Sequence, residues 1–497
     1  MKRYYILIVL MIVLPGFLVA QNFADAFRMS FNQVQGTARS AGMGNAFGAL
    51  GGDFTSLSIN PAGSAIYQTS EFVITPGYYI NNSDISIGGN TYSDNDQSFT
   101  LNNVGAVGVF KTRRSEAGII SINYGVGFNR MANYGSNAFA NFNQSAVSYL
   151  DDITGYANSE ALSNAYLNQD IGDVQYRDWP TKLAWDTYLI DPVYDNGGNP
   201  IDGEYQSILY QDEKVDQNKT FSTDGRLDEY VFNIGLNFNH TFYLGTTLSL
   251  HDIRYRDNSR YEEILSDGAS YLFNDEYYMD GNGFNFKIGA IYKPVQTVRL
   301  GLAFHSPTFY EIFEESTLSM ESFLAQNYYN YGVNQYSYDF NTPWKVVASG
   351  AFIFAKKGLI SVDAEFTDYA SMRYRRGGNG SDNFNDLNSV MGDIFKSVVN
   401  LRIGAEYKLT NQFAIRAGYE NYGNPFKEQQ LDQQSTLSDN VSVFSGGFGY
   451  TMNAFSLNVA YTNTMVNLWD GNPQPNYYQL ARENNNHNIL MTLGFRF

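Results

Sequence analysis

Long stretches of the chain alternate apolar and polar residues with a period of two. Ile120, Ile122, Tyr124, Val126 and Phe128 share one parity, and Ser121, Asn123, Gly125, Gly127 and Asn129 the other. Phe232, Ile234, Leu236 and Phe238 stand against Asn233, Gly235, Asn237 and Asn239 in the same way. So do Ile360, Val362, Ala364 and Phe366 against Ser361, Asp363, Glu365 and Thr367, and Leu401, Ile403, Ala405 and Tyr407 against Arg402, Gly404, Glu406 and Lys408. Successive side chains of extended backbone point to opposite faces, so a period of two means strands with one greasy and one wet face. The pattern predicts about fourteen of them. They fall near residues 69–81, 97–112, 116–130, 227–243, 245–262, 270–292, 297–316, 336–355, 358–376, 396–409, 412–424, 439–451, 454–466 and 484–497.

Two architectures produce such strands. A soluble sandwich turns the apolar face inward, and a transmembrane barrel turns it outward to lipid and keeps the wet face in a lumen. Three features favour the all-β transmembrane antiparallel barrel. Tyr and Phe recur near strand ends, as an interfacial girdle requires. The wet face is rich in Gly, Asn and Ser with scattered charges. The last strand places Ile489, Met491, Leu493, Phe495 and Phe497 on one face, and such a terminal aromatic is similar to the signal read by the bacterial barrel-assembly machinery. Short links such as Tyr243-Leu244-Gly245 and Leu409-Thr410-Asn411 read as periplasmic turns. Long polar links read as extracellular loops, the largest spanning about 131–226 with Asp151, Asp152, Asp170, Asp173, Asp186, Asp191 and Asp195, and with short helices expected over 146–167.

Composition agrees with this reading. The 497 residues include 39 Tyr, 36 Phe, 4 Trp and 45 Gly, and 16% are charged. An ordinary soluble domain carries roughly 25% charged residues. So many aromatics exclude a disordered chain. After the first twenty residues no apolar run approaches the ~18 residues of a membrane helix. The net charge of -18 repels phosphate, which excludes nucleic acid as a partner. Cysteine is absent, so disulfides, thiolate metal sites and cysteine nucleophiles are excluded. Residues 1–20 carry Lys2 and Arg3, an apolar run from Ile6 to Leu14, then Pro15-Gly16 and Leu18-Val19-Ala20. That is the layout of a secretory signal peptide, with export and cleavage before Gln21 expected.

Residues 21–66 do not alternate. Small residues dominate, with seven glycines from Gly36 to Gly63. Backbone of this kind packs closely and turns sharply, as a plug inside the barrel would. Gly36-Thr37-Ala38-Arg39-Ser40-Ala41-Gly42-Met43-Gly44, followed by Asn60-Pro61-Ala62-Gly63, resembles the hatch of the long-chain fatty acid and aromatic hydrocarbon transporters of the outer membrane. Phe304-His305-Ser306-Pro307 and Thr342-Pro343-Trp344 resemble segments of Bacteroidetes members of that family. Ser64 departs from the leucine that usually follows the hatch glycine. The resemblance implies a fourteen-stranded barrel over 67–497, a hatch at 21–66, and passive uptake of hydrophobic molecules. It further implies release sideways through a gap beside a kinked third strand.

On that resemblance the ligand and hatch residues are Gly36, Arg39, Gly42, Gly44, Asn60, Pro61, Ala62 and Gly63. Arg39 suits either a latch to a lumen acid such as Glu365 or Glu406, or a ligand carboxylate, since its planar fork fits both. Lys287, Arg402 and Arg416 are the rival carboxylate partners, although lumen charges commonly pair with one another. Gly125 and Gly127 are candidates for the lateral opening, because paired glycines weaken a strand; packing of small residues against the plug explains them equally well.

No catalytic, cofactor or metal site is expected. His305 and Ser306 are adjacent, so on a strand they face opposite ways. No Gly-x-Ser-x-Gly elbow occurs. Gly42-Met43-Gly44 lacks the third glycine and crossover of a dinucleotide fingerprint. Asp280-Gly281-Asn282-Gly283 lacks the closing acid of a calcium loop. The expected partners are a fatty acid-like hydrophobic molecule, outer-membrane lipids with lipopolysaccharide, and the assembly machinery, with the chain a monomer. Two other readings stay open: a docking component for protein secretion, and a receptor for haem or another aromatic ligand.

Overall fold

The computed structural model describes residues 23–497 apart from 88–89, 113–117, 211, 356, 378–382, 428–435, 438 and 471–479. Residues 1–20, read above as a signal peptide, lie outside the described residues. Fourteen antiparallel staves close into one barrel. They are β1 (Glu71–Ile87), β2 (Asn90–Lys111), β3 (Ile119–Asn133, continued by Ser136–Ser145), β4 (Val215–Phe238) and β5 (Phe242–Ile264). Then come β6 (Ser270–Val295), β7 (Val298–His305 and Phe309–Phe323), β8 (Asn327–Asn341 and Lys345–Phe354) and β9 (Gly358–Asp368 and Arg373–Gly377). The wall ends with β10 (Ser397–Lys408), β11 (Phe413–Tyr422), β12 (Val441–Met452), β13 (Phe455–Asp470) and β14 (Leu480–Arg496). β14 returns to β1, with Phe495 opposite Phe72. Each predicted strand coincides with a stave, but Tyr243-Leu244-Gly245 is part of β5 and the turn before it falls at Asn239–Thr241.

The apolar parity faces out. Tyr124, Val126, Phe232, Ile234, Phe286 and Ile288 are roughly half exposed, while Asn123, Asn129, Ser249, Asp363 and Thr367 are fully buried. A sandwich would reverse this. Polar residues inside and hydrocarbon outside are the inversion that lipid imposes.

β7, β8 and β9 are each interrupted once. The breaks in β7 and β8 fall side by side at Ser306-Pro307-Thr308 and Thr342-Pro343-Trp344. Proline has no N–H to give to a ladder. Thr342 Oγ1 fills part of the break by accepting from Thr308 N at 2.8 Å.

The staves differ in height. β6 has 26 residues and β5 has 23, against 12 in β10 and 10 in β11. A spanning strand needs about 9–11 residues, so one side of the wall stands well beyond the bilayer. On β5 the outward residues change from Leu248 and Leu250 to Asp252 and Arg254, which places the upper membrane border between them.

The largest loop is shorter than predicted. Ser136–Ser145 still pairs with β4, down to Ser145 opposite Val215, so the connection runs over 146–214. The buried face of this segment carries only the small Ala138 and Ala140, so alternation fades where pairing continues. The loop shares a core with the tall side of the wall: helices Tyr149–Ser159 and Trp179–Asp186 and the hairpin Ile190–Tyr194/Pro200–Ser207 bury Leu150, Ile153, Leu183 and Tyr205 against Tyr261, Tyr271, Leu318 and Met320.

Candidate functional site

Residues 23–66 lie inside the barrel. Helix α1 (Phe23–Ser30) leads to helix α2 (Ala38–Ala41), helix α3 (Ser56–Ile59) and a 3-10 turn over Pro61–Ile66. Thr37 caps α2 by accepting from Ser40 N at 3.2 Å. Asn60 caps the 3-10 turn by accepting from Ala62 N at 3.1 Å, with Pro61 in the first position, where no N–H is needed. The other end of the Asn60 amide donates to Gly48 O at 2.6 Å and to Ala290 O of β6 at 3.2 Å. One side chain thus caps a turn, ties the hatch to itself and ties it to the wall.

The hatch rests on a belt of lumen-facing glycines. Gly235 faces Gly245 across the ladder, and Gly245 faces Gly289. Gly404 faces Gly418, and Gly105 faces Gly127. A side chain at Gly245 would meet the Pro61 backbone, at Gly289 the Asn60 side chain, and at Gly404 the Met43 carbonyl. Gly44, at a φ of 55°, lies against the Tyr419 backbone, where left-handed geometry and close approach both demand glycine. Gly42 lies against Gly447, Gly63 against Gly51 and Ser56, and Gly36 against Thr55. Ala62 is fully buried. Ser64, the departure from the family pattern, packs on Gly235 and donates to Pro61 O at 3.1 Å.

The wall also reaches hatch carbonyls directly. Asn123 donates to Ser64 O at 2.6 Å, Asn233 to Pro61 O at 3.1 Å, Thr247 to Leu57 O at 3.1 Å and Lys287 to Ser58 O at 3.1 Å. Buried carbonyls of a segment with little regular structure need such partners.

Each sequence-predicted cation meets an acid at hatch level. Arg39 holds Glu406 through Nε and Nη2 at 3.1 and 3.3 Å. Burial works against its charge, but Glu406 more than restores it and holds the guanidinium above its ordinary value. Arg416 shares Glu406 at 2.7 Å. Arg402 pairs with Glu365 at 3.2 Å, and Lys287 pairs with Glu229. Lys287 and Arg402 border a void of about 40 Å³. None of the four borders the main cavity.

That cavity, about 630 Å³, lies on the far side of the hatch. Phe27 and Phe31 of the α1 segment supply one apolar wall, and Met131, Phe142, Phe221 and Val443 the other. Arg28, seated over the Tyr255 ring at 3.5 Å and paired with Asp25, stands between them. Burial pushes the Asp25 carboxyl above the usual carboxylate range, against the pull of Arg28. These α1 residues were missed in the sequence. The four-residue spacing of Phe23, Phe27 and Phe31 was the available clue.

Beside the cavity the wall parts. The β2–β3 ladder runs from Lys111/Ser121 to Asn103/Asn129 and stops. Beyond it β3 slips register on β4 between Arg130 and Ala132, then continues as Ser136–Ser145 paired to β4. A bulge bends the strand that carries it, here out of the β2 ladder and onto side chains of β1 and β2, where Ala138 and Ala140 pack with Ile85 and Tyr92 donates to Asn141 O. Gly125 and Gly127 sit below this point, inside the unbroken ladder, with Leu57 and Phe54 of the hatch against them. Their missing side chains make room for the hatch.

A closed barrel with an outward apolar band, an internal hatch and a cavity behind it defines an outer-membrane channel protein. The sequence profile of the outer membrane protein transport protein family (OMPP1/FadL/TodX) matches residues 243–497, and the chain belongs to that family. It shares the fold of a Pseudomonas aeruginosa FadL homologue at 13% identity and a TM-score of 0.52, over 94% of this chain and 99% of that one. The Ralstonia pickettii toluene transporter TbuX matches at 12% and 0.51, over 93% and 98%, and the Pseudomonas putida toluene transporter TodX at 12% and 0.50, over 94% and 100%. No curated protein sequence matches the chain.

Proposed function

We propose that the protein carries hydrophobic small molecules, long-chain fatty acids or similar, passively through the outer membrane. The ligand lodges in the cavity above the hatch and leaves sideways, between β2 and the upper part of β3, into the bilayer. The observation that carries this reading is the ladder that ends at Asn103/Asn129 beside the cavity-lining Met131. Phe99, 90% exposed on the free edge of β2, gives the slit an apolar lip. A greasy solute gains about 0.8 kcal/mol per CH₂ on leaving water for hydrocarbon, so sideways release needs no energy source. Monomeric assembly, with lipopolysaccharide around the upper wall, belongs to the same proposal.

A reversible lock tests it. Gly135 lies against the Asp96 carboxylate across the slit, and the chain has no native cysteine. In an Asp96→Cys/Gly135→Cys variant, oxidation is expected to stop uptake of a labelled fatty acid and reduction to restore it. Full uptake with the disulfide formed would exclude the lateral route.

A further inference from the structure

We infer that Arg482 anchors the carboxylate head of an amphiphilic ligand in the main cavity, making the site selective for acids over neutral hydrocarbons. This rests on the reading of that cavity as the transport site. Arg482 borders the cavity from the upper part of β14. Its Nε donates to Ser83 Oγ at 3.0 Å and its Nη2 to Ser136 Oγ. Among the described residues it forms no ion pair. Five cations at the hatch level do the opposite: Arg39, Lys287, Lys345, Arg402 and Arg416 all face carboxylates, while Arg299 donates to the hatch carbonyl Leu50 O and lies outside the main cavity. In a chain of net charge -18, Arg482 is a cavity-lining guanidinium held only by two hydroxyls, whereas Arg28 across the cavity is paired with Asp25.

Those hydroxyls fix its position without neutralising it. They use one side of the fork and leave donors for a two-oxygen acceptor, the shape a carboxylate presents. Asn484 and Asn486 follow on the same face of β14 and also border the cavity. Each carries an amide N–H₂ group able to donate to an anion. Three successive inward positions of β14 thus line the cavity with donor-bearing side chains. The tail would lie against Met131, Phe142 and Phe221. Because Ser83 belongs to β1 and Ser136 to the upper β3 segment, the anchor spans the two sides of β2 beside the slit. A carboxylate held there leaves its tail free to turn outward.

The test uses the purified full chain in detergent and two probes of equal tail, oleate and oleyl alcohol. The wild type is expected to bind oleate at least tenfold more tightly. Arg482→Gln should remove that preference by weakening oleate about tenfold while leaving oleyl alcohol unchanged, and Arg482→Lys should keep part of it. Unchanged alcohol binding also certifies that the variant is folded. Equal binding of both probes by the wild type, or an Arg482→Gln loss that falls equally on both, would overturn the anchor and leave the transport reading standing. Failure of the wild type to bind either probe would overturn both.

Discussion

Arg39 of the hatch and Glu406 of β10 form a two-pronged ion pair, and Arg416 of the neighbouring stave grips the same carboxylate. Glu406 is buried, so its removal leaves two guanidinium groups facing each other. Glu406→Gln is therefore expected to loosen the hatch more than Arg39→Ala, which leaves Glu406 with Arg416. A charged hydrogen-bonded contact of this kind contributes about 1.5–3 kcal/mol. Single-channel conductance in planar bilayers should rise in the order wild type, Arg39→Ala, Glu406→Gln. A reversed order would mean that Arg39 alone is the latch.

The glycine belt makes a second expectation. A valine at Gly245 or Gly289 would occupy the space of Pro61 or Asn60. Overpacking costs about 1–3 kcal/mol, and the hatch gives way more easily than a closed ladder. Gly289→Val should leave barrel insertion and heat-modifiable migration intact while exposing residues 23–66 to protease. Protection equal to the wild type would show that the hatch seat is not close-packed.

Gly125 and Gly127 separate hatch packing from lateral release. Valine at both positions would push Leu57 and Phe54 out of place. The double variant is expected to leak small ions, as should deletion of 22–60. If it lost fatty-acid uptake without any rise in conductance, the two glycines would belong to the exit instead.

Much of this architecture was legible in the sequence, because a strand between lipid and lumen must alternate at every step. The parity of Ile120 to Asn129 told which residues meet hydrocarbon, and the small residues of 21–66 told that a compact segment had to go somewhere enclosed. The pairing of Arg39 with Glu406 was among the options that the charges themselves allowed. Other features were hidden for definite reasons. The upper half of β3 escaped notice because small Ala138 and Ala140 fill its buried face while Phe139 lies on the exposed one, so no greasy-and-wet alternation shows. For Lys287, Arg402 and Arg416 the charges left a ligand carboxylate and a lumen acid both open, and which acids lie beside them, Glu229, Glu365 and Glu406, depends on the wall.

Alternation along one chain fixes which way each side chain points, since that depends on the local backbone alone. It carries nothing about which stave stands beside which height of its neighbour. Register therefore decided the rest: that glycines from many staves meet at one level as a seat, that the β2–β3 ladder ends at Asn103 and Asn129, and that Arg482 reaches Ser83 and Ser136 but no acid. These are relations between residues up to 399 positions apart, and only closure of the barrel brings them together.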